Sequence, residues 1–369
     1  MSVPFLDLAL QYQGLKDDIR PALEQVLGSC AFANGPAVRD FEQSFGEYLG
    51  AHHVVCVNSG TSALHLALLA AGVGPGDEVI VPAMTFVATA WAVSYCGARP
   101  RFVDVTEGDY TMDPSLVEAA ISERTKAVLP VHLYGLPADL DALGRICESR
   151  GVPLVEDAAQ AHGARYEGRH AGTFGFAGCF SFYPGKNLGA YGEGGAIATD
   201  DAEAAERMRA LRDHAQRKKY HHDELGFNYR MDSFQGAVLS VKLRHLNEWT
   251  HSRQALASRY LKGLADTDLV LPTVPAGREH VWHLFVVLHP ERDRLKQALE
   301  TAGIGCGLHY PVAVPFVRAY AQLGHRPGEF PVAERIAREC LSLPIFPEMT
   351  EEQQDCAMAG LRQGLAEAS

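Results

Sequence analysis

Val152-Pro153-Leu154-Val155-Glu156-Asp157-Ala158-Ala159-Gln160-Ala161-His162-Gly163 opens with a short apolar run, rich in Val and Leu, that delivers two adjacent carboxylates, Glu156 and Asp157. Such a run reads as a buried parallel strand. In open α/β sheets, ligands bind beyond the carboxyl ends of the strands, so Glu156 and Asp157 stand where a site is expected. A carboxylate there either caps the following helix or holds a protonated ring nitrogen.

The surrounding sequence alternates between strand-like and helix-like segments. Val54–Val57, Glu78–Val81, Arg101–Val105 and Ala127–Val131 read as strands; Ala63–Leu69, a stretch near Ala88–Trp91 and Leu140–Glu148 read as helices. Gly178–Phe182 and Gly195–Thr199 add two strands. The alternation predicts a mostly parallel central sheet wrapped by helices. One long helical pattern, Ser233 to Leu264, leads out of it. His283–Leu288, Arg292–Ala302 and Gly305–His309 predict a smaller C-terminal α/β domain, which divides the 369 residues into 1–247 and 248–369.

Between the two added strands lies Ser181-Phe182-Tyr183-Pro184-Gly185-Lys186-Asn187-Leu188-Gly189. A lysine among aromatics and glycines is either part of a strained structural loop or a desolvated amine. In the second case its pKa falls and it becomes a nucleophile toward carbonyls. Upstream, Val54–Val57 runs into Asn58-Ser59-Gly60-Thr61-Ser62 and then a helix. Strand, small polar turn and helix can bind an anion at a helix N-terminus, or Ser59 or Thr61 can simply cap the helix. A carboxylate for a pyridinium, an amine for a carbonyl and a cradle for a phosphate are together what pyridoxal 5'-phosphate requires.

These motifs stand in one order with Pro82-Ala83-Met84-Thr85-Phe86-Val87-Ala88-Thr89 and Gly226-Phe227-Asn228-Tyr229-Arg230-Met231. In that order the chain resembles the DegT/DnrJ/EryC1/StrS family of sugar aminotransferases. The likeness runs from Val3–Leu8 to Leu343–Pro347. The resemblance implies the aspartate-aminotransferase-like fold (PLP fold type I) and a homodimer with active sites shared between subunits. It implies that Lys186 forms the Schiff base and shuttles the proton, and that Asp157 pairs with the pyridinium nitrogen. Gln160 would bind the phenolic oxygen, and Phe86, otherwise a plain core aromatic, would stack on the ring. Gly60, Thr61 and Ser181 would hold the phosphate, with Asn228 reaching the phosphate of the neighbouring subunit. Tyr183, Lys219, His309 and Tyr310 match positions near the sugar or its diphosphate, although His309-Tyr310-Pro311 could equally be a packed corner.

The chemistry implied is ping-pong transamination of a nucleotide-linked keto sugar with L-glutamate as donor. Relatives acting on 4-keto sugars carry a Thr-Thr pair after the lysine. Here Lys186-Asn187-Leu188-Gly189-Ala190-Tyr191-Gly192-Glu193 is instead similar to the 3-keto branch, on dTDP or UDP carriers. The 4-keto reaction is the alternative, followed by a cofactor-binding sensor without turnover. A dehydratase branch has His in place of the lysine, which Lys186 argues against.

Composition narrows the remaining classes. With 47% hydrophobic and 21% charged residues, an ordinary globular protein is expected. A net charge of −12 argues against nucleic-acid binding. Arg217-Lys218-Lys219-Tyr220-His221-His222 is a basic island, either a solvated face or a phosphate-facing loop. The eight cysteines include no CxxC pair. There is no HExxH, and His280 and His283 are expected on opposite faces of a strand, so no metal is predicted. No stretch is long enough to span a membrane, and the N-terminus lacks a secretory signal's basic region and apolar core. A cytoplasmic location without membrane partners is expected.

Overall fold

The computed structural model describes residues 2–368. Its central sheet begins with β1 (His53–Val57), β2 (Glu78–Pro82), β3 (Arg99–Val103), β4 (Thr125–Val128) and β5 (Val155–Asp157). A small hairpin, β6 (Arg165–Tyr166) and β7 (Arg169–His170), intervenes before β8 (Ala177–Ser181) and β9 (Gly195–Thr199) complete the sheet. Parallel bridges Val128–Leu154 and Val131–Asp157 join two ladders into the order β3-β2-β4-β5-β8-β9-β1. Only β9 runs against its neighbours. The sheet is therefore mostly parallel, as its near-continuous apolar strands predict.

That topology decides where the site lies. β1, β2, β5 and β8 all point the same way, so the segments leaving their carboxyl ends converge. β1 leads into α3 (Gly60–Ala70), which follows α1 (Leu8–Ser29) and α2 (Pro36–Leu49) in the chain. β2 leads through Phe86 into α4 (Ala88–Tyr95). The segment after β8 carries Lys186 and returns as β9. The outer edge of β1 is closed by side chains: Glu42 accepts from Cys56 N at 2.8 Å, and Arg212 donates to Cys56 O at 2.6 Å. Such a pair occupies backbone groups that would otherwise invite another strand.

The remaining helices around the sheet are α5 (Pro114–Ala120), α6 (Leu140–Arg150) and α7 (Ala202–Arg212), followed by a hairpin of β10 (Gln216–Lys218) and β11 (His221–His222). The long helix expected from Ser233 to Leu264 is two helices, α8 (Ser233–Leu243) and α9 (Leu246–Gly263). The break falls where His245 N bonds Lys242 O, a tightened turn. It lets α8 pack against α1 and α2 while α9 enters a second core.

That second core contains α9, the antiparallel pair β13 (Phe285–Leu288) and β14 (Cys340–Leu343), and helices α10 (Arg292–Thr301) and α12 (Glu351–Ala368). β12 (Arg278–Glu279) pairs with β6, and α11 (Pro331–Glu339) precedes β14. The N-terminal segment joins this core: Val3 is buried in it and exchanges hydrogen bonds with Gly303 and Gly305. The strand expected at Gly305–His309 is absent as a ladder. Ile304 bridges Val3 and Gly307 bridges Ser342, so this stretch makes isolated bridges to two different partners. β3 and β4 also begin two residues earlier than the sequence suggests, because Arg99 and Thr125 already pair with Glu78 at the start of β2.

Candidate active site

The converging segments enclose a cavity of about 670 Å³, lined among others by Gly60, Thr61, Phe86, Asp157, Gln160, Ser181, Tyr183, Lys186, His309 and Tyr310. Ten of the twelve candidate site residues thus meet at one place.

Lys186 lies just beyond β8, with its N–H bonded to Tyr183 O at 2.8 Å. Burial lowers its ammonium from 10.5 to about 8, against the pull of the Asp157 carboxylate. Asp157 closes β5 with both oxygens engaged: Thr89 Oγ1 donates to Oδ2 at 2.8 Å, and Ala159 N donates to Oδ1 at 3.1 Å. Burial raises its carboxyl above the ordinary range; Thr89, Ala159 and Lys186 pull it partly back. Its ionised form is thus opposed by burial and held by those three groups.

Period-two alternation sends the adjacent carboxylate to the other face of the sheet. Glu156 accepts from Gly172 N, Phe174 N and Gly175 N at 2.7–2.8 Å, and pairs with His132 at 2.9 Å. Burial opposes its ionisation, but His132 and these N–H groups hold its pKa below the usual carboxylate value. Glu156 therefore fastens a turn, and Asp157 alone faces the cavity.

At α3, Ser59 caps the helix by accepting from Ser62 N at 3.0 Å. Gly60 and Thr61 begin the helix at the cavity wall, so its positive dipole end is turned to the ligand space. A Cβ on Gly60 would sit 2.6 Å from Ser181 Cβ, which explains why glycine stands there. Gln160 accepts from Tyr134 N at 2.6 Å and donates to Tyr310 Oη at 3.0 Å, leaving one amide hydrogen. The Tyr310 ring lies 5.4 Å from Phe86. His309 bonds Ser342 Oγ at 2.8 Å and stacks on Phe5, and burial followed by Lys186 lowers its imidazole to about 4.

Asn228 and Lys219 do not line this cavity. Asn228 is exposed and its carbonyl accepts from Asn58; Lys219 is exposed on the β10–β11 hairpin over Tyr220. His280 and His283 do not share a strand, since β13 begins at Phe285; His280 stacks on Trp282 and His283 lines the cavity. No group of three or more His, Cys, Asp or Glu among the described residues could hold a metal ion, and no described helix is long and apolar enough to cross a membrane. Five of the cysteines are buried.

Several cavity residues had no role assigned from sequence. Thr89 and Asn187 stand just behind the wall, where Thr89 bonds Asp157 and Asn187 bonds Val281 O; nothing in the motifs that contain them marks those partners. Phe5, Leu6, Arg253 and Ile345 come from distant segments, and only tertiary packing brings them to the wall.

An amine of lowered basicity opposite a buried carboxylate, with a helix N-terminus on the same cavity, is an arrangement suited to an α/β enzyme acting on carbonyl compounds. The chain belongs to the DegT/DnrJ/EryC1/StrS aminotransferase family, whose signature matches residues 13–362. It is 50% identical over 365 residues to the erythromycin biosynthesis sensory transduction protein EryC1 of Saccharopolyspora erythraea, covering 99% of this chain and 100% of that one. It is 49% identical over 352 residues to the dTDP-3-amino-3,4,6-trideoxy-alpha-D-glucose transaminase of Streptomyces venezuelae, covering 95% and 93%. Among solved structures, S. venezuelae DesV in complex with a ketimine intermediate superposes with a TM-score of 0.96 at 48% identity over 98% of both chains. Bacillus subtilis NtdA with bound cofactor PMP (pyridoxamine phosphate) superposes at 0.88 with 33% identity, covering 95% of this chain and 82% of that one.

Proposed function

We propose that this chain is a pyridoxal 5'-phosphate-dependent aminotransferase that converts a 3-keto nucleotide sugar into the amino sugar, with L-glutamate as donor. The carrying observation is the buried Lys186 amine, with a pKa of about 8, opposite the buried Asp157 carboxylate.

The residues present fit the cofactor. Gly60, Thr61 and Ser181 would take its phosphate at the start of α3, and Asp157 its ring nitrogen. Gln160 has one amide hydrogen for its phenolic oxygen, and Phe86 offers a ring to stack. When bound, the cofactor supplies a carbonyl for amines and an electron sink for carbanions. Lys186 Nζ would hold it covalently. Once the donor amine has taken that place, the same Nζ carries a proton between the two carbons flanking the transferred nitrogen. Asp157, fixed by Thr89 and Ala159, keeps the ring nitrogen protonated, and the enclosed cavity limits water.

Tyr183, His309 and Tyr310 would face the sugar or its diphosphate. Lys219 and Asn228 lie outside this chain's own cavity, which supports a homodimer in which they serve the second copy's site. Phe86 and Tyr183, each about half exposed, are surfaces such a partner would cover. The division at residue 247 and a reducing, cytoplasmic setting for the buried thiols belong to the same reading. The absence of a Thr-Thr pair after Lys186 and the activity named for the Streptomyces transaminase favour amination at C3 over C4, with dTDP or UDP as carrier.

The test is spectroscopic and enzymatic. Purified protein should be yellow and bleach on glutamate addition; a 3-keto sugar on dTDP or UDP should restore the colour and yield the amino sugar. Colourless protein that pyridoxal phosphate cannot reconstitute, or colour that glutamate leaves unchanged, refutes the proposal.

A further inference from the structure

The loop carrying Lys186 is fastened on both sides. Lys242 Nζ, on α8, donates to Gly189 O at 2.6 Å. Asn187, only 5% exposed, donates through Nδ2 to Val281 O at 2.9 Å, and its Oδ1 meets His283 Nδ1 at 3.3 Å. The Val281 carbonyl can only accept, which sets the orientation of the amide. Asn187 Oδ1 can then only accept as well, so His283 must carry its proton on Nδ1.

The segment holding His283 is itself over-determined. From α9, Arg253 Nη1 donates to Trp282 O at 3.0 Å, His283 O at 3.5 Å and Ile345 O at 2.9 Å. Trp282 has φ +48°, a left-handed conformation that is costly for a residue with a Cβ, and it stacks on His280 at 3.9 Å. A packed core histidine would need neither a bond to the residue beside the lysine nor a place on the cavity wall; His283 has both.

We infer that His283 is a positioning residue for Lys186, acting through Asn187 to keep the lysine loop latched to the second core so that Nζ stays desolvated opposite Asp157. The charged and titratable groups around it suit that task. Burial, then Lys186, Arg253, His309 and His162, hold the His283 imidazole well below 6.5, so it remains a neutral donor. Lys186 faces Asp157 as its one attracting charge.

The inference rests on Lys186 being the reactive amine. It is tested on the full chain, cofactor-free, by the pH dependence of Lys186 labelling with an amine-reactive probe, read by peptide mass spectrometry. Parallel kcat and KM measurements use the reconstituted enzyme. His283→Phe and Asn187→Ala should each raise the labelling midpoint by about one pH unit. Each should lower kcat about tenfold, or about 1.4 kcal/mol, with KM for glutamate little changed. His283→Gln, which can still donate to Asn187, should recover most of both. The Asn187→Ala/His283→Phe double variant should be no worse than Asn187→Ala alone, because His283 acts through Asn187.

A wild-type midpoint in folded His283→Phe, a Gln variant as impaired as Phe, or losses that multiply in the double variant would each overturn the latch. If His283→Phe does not fold, Asn187→Ala and His283→Gln, alone and combined, decide the matter. Labelling needs no substrate. A protein that labels as expected but does not transaminate would therefore sink the proposed function and leave the latch standing.

Discussion

Replacing Lys186 should make the cofactor-free protein more stable. The folded state lowers the Lys186 ammonium from 10.5 to about 8, chiefly by burial. Below pH 8 both folded and unfolded chains carry the proton, and the folded chain bears the full cost of a buried charge. Between pH 8 and 10.5 the unfolded chain keeps a proton that the folded chain has shed, so stability rises with pH across that window and then levels off. The gap between 10.5 and about 8, at 1.36 kcal/mol per pH unit, corresponds to about 3 kcal/mol. Lys186→Met removes that cost with a side chain of similar length. The pull of Asp157 is already contained in that net value, so the expected gain at pH 7 is about 3 kcal/mol. Urea unfolding of the two full-length proteins, stripped of cofactor and matched in concentration, reads the difference. The Met variant should be more stable at pH 7, and the two should converge by pH 10. A Met variant less stable at pH 7, or an advantage equal at both pH values, would refute the burial argument.

Thr89→Val deletes the donor to Asp157 Oδ2, a charged hydrogen bond of about 1.5–3 kcal/mol, and pushes that carboxyl further up. Cofactor affinity in a spectral titration should fall at least tenfold, most steeply at the acid end, where Asp157 loses its charge first. Gly60→Ala places a methyl 2.6 Å from Ser181 Cβ, so it should weaken cofactor retention on gel filtration while the circular dichroism spectrum stays unchanged. Glu156→Gln faces three backbone donors and His132 with an amide, and should cost about 3 kcal/mol in denaturant unfolding. The visible spectrum of its bound cofactor should not move, since Glu156 lies on the far face of β5.

What was legible in the sequence depended on how local the determining physics is. The apolar run before Glu156-Asp157, the small polar turn before α3 and the glycines around Lys186 each write their conformation into a few consecutive residues. Convergence of those segments then follows from parallel strand direction. The break between Lys242 and His245 was not legible, because the pattern is helical throughout and only the demand of two cores divides it. Nor was the missing ladder at Gly305–His309, where Val3 and Ser342, far apart in sequence, each take part of the stretch as isolated bridges.

The same limit separates the site's two levels. Lys186 and Asp157 are residue types whose chemistry suggests itself from neighbours and order. Thr89, Asn187, His283 and Arg253 are polar residues whose meaning lies wholly in their partners, 68 residues away for Thr89 and Asp157 and 96 for Asn187 and His283. A lysine lowered to about 8 is a property of the enclosure around it: unfastened, the loop would return its amine to water and to the ordinary basicity of lysine. The residues proposed to keep Lys186 enclosed are therefore the ones a linear reading assigns no role, and substitutions at those positions should separate chemistry from binding most cleanly.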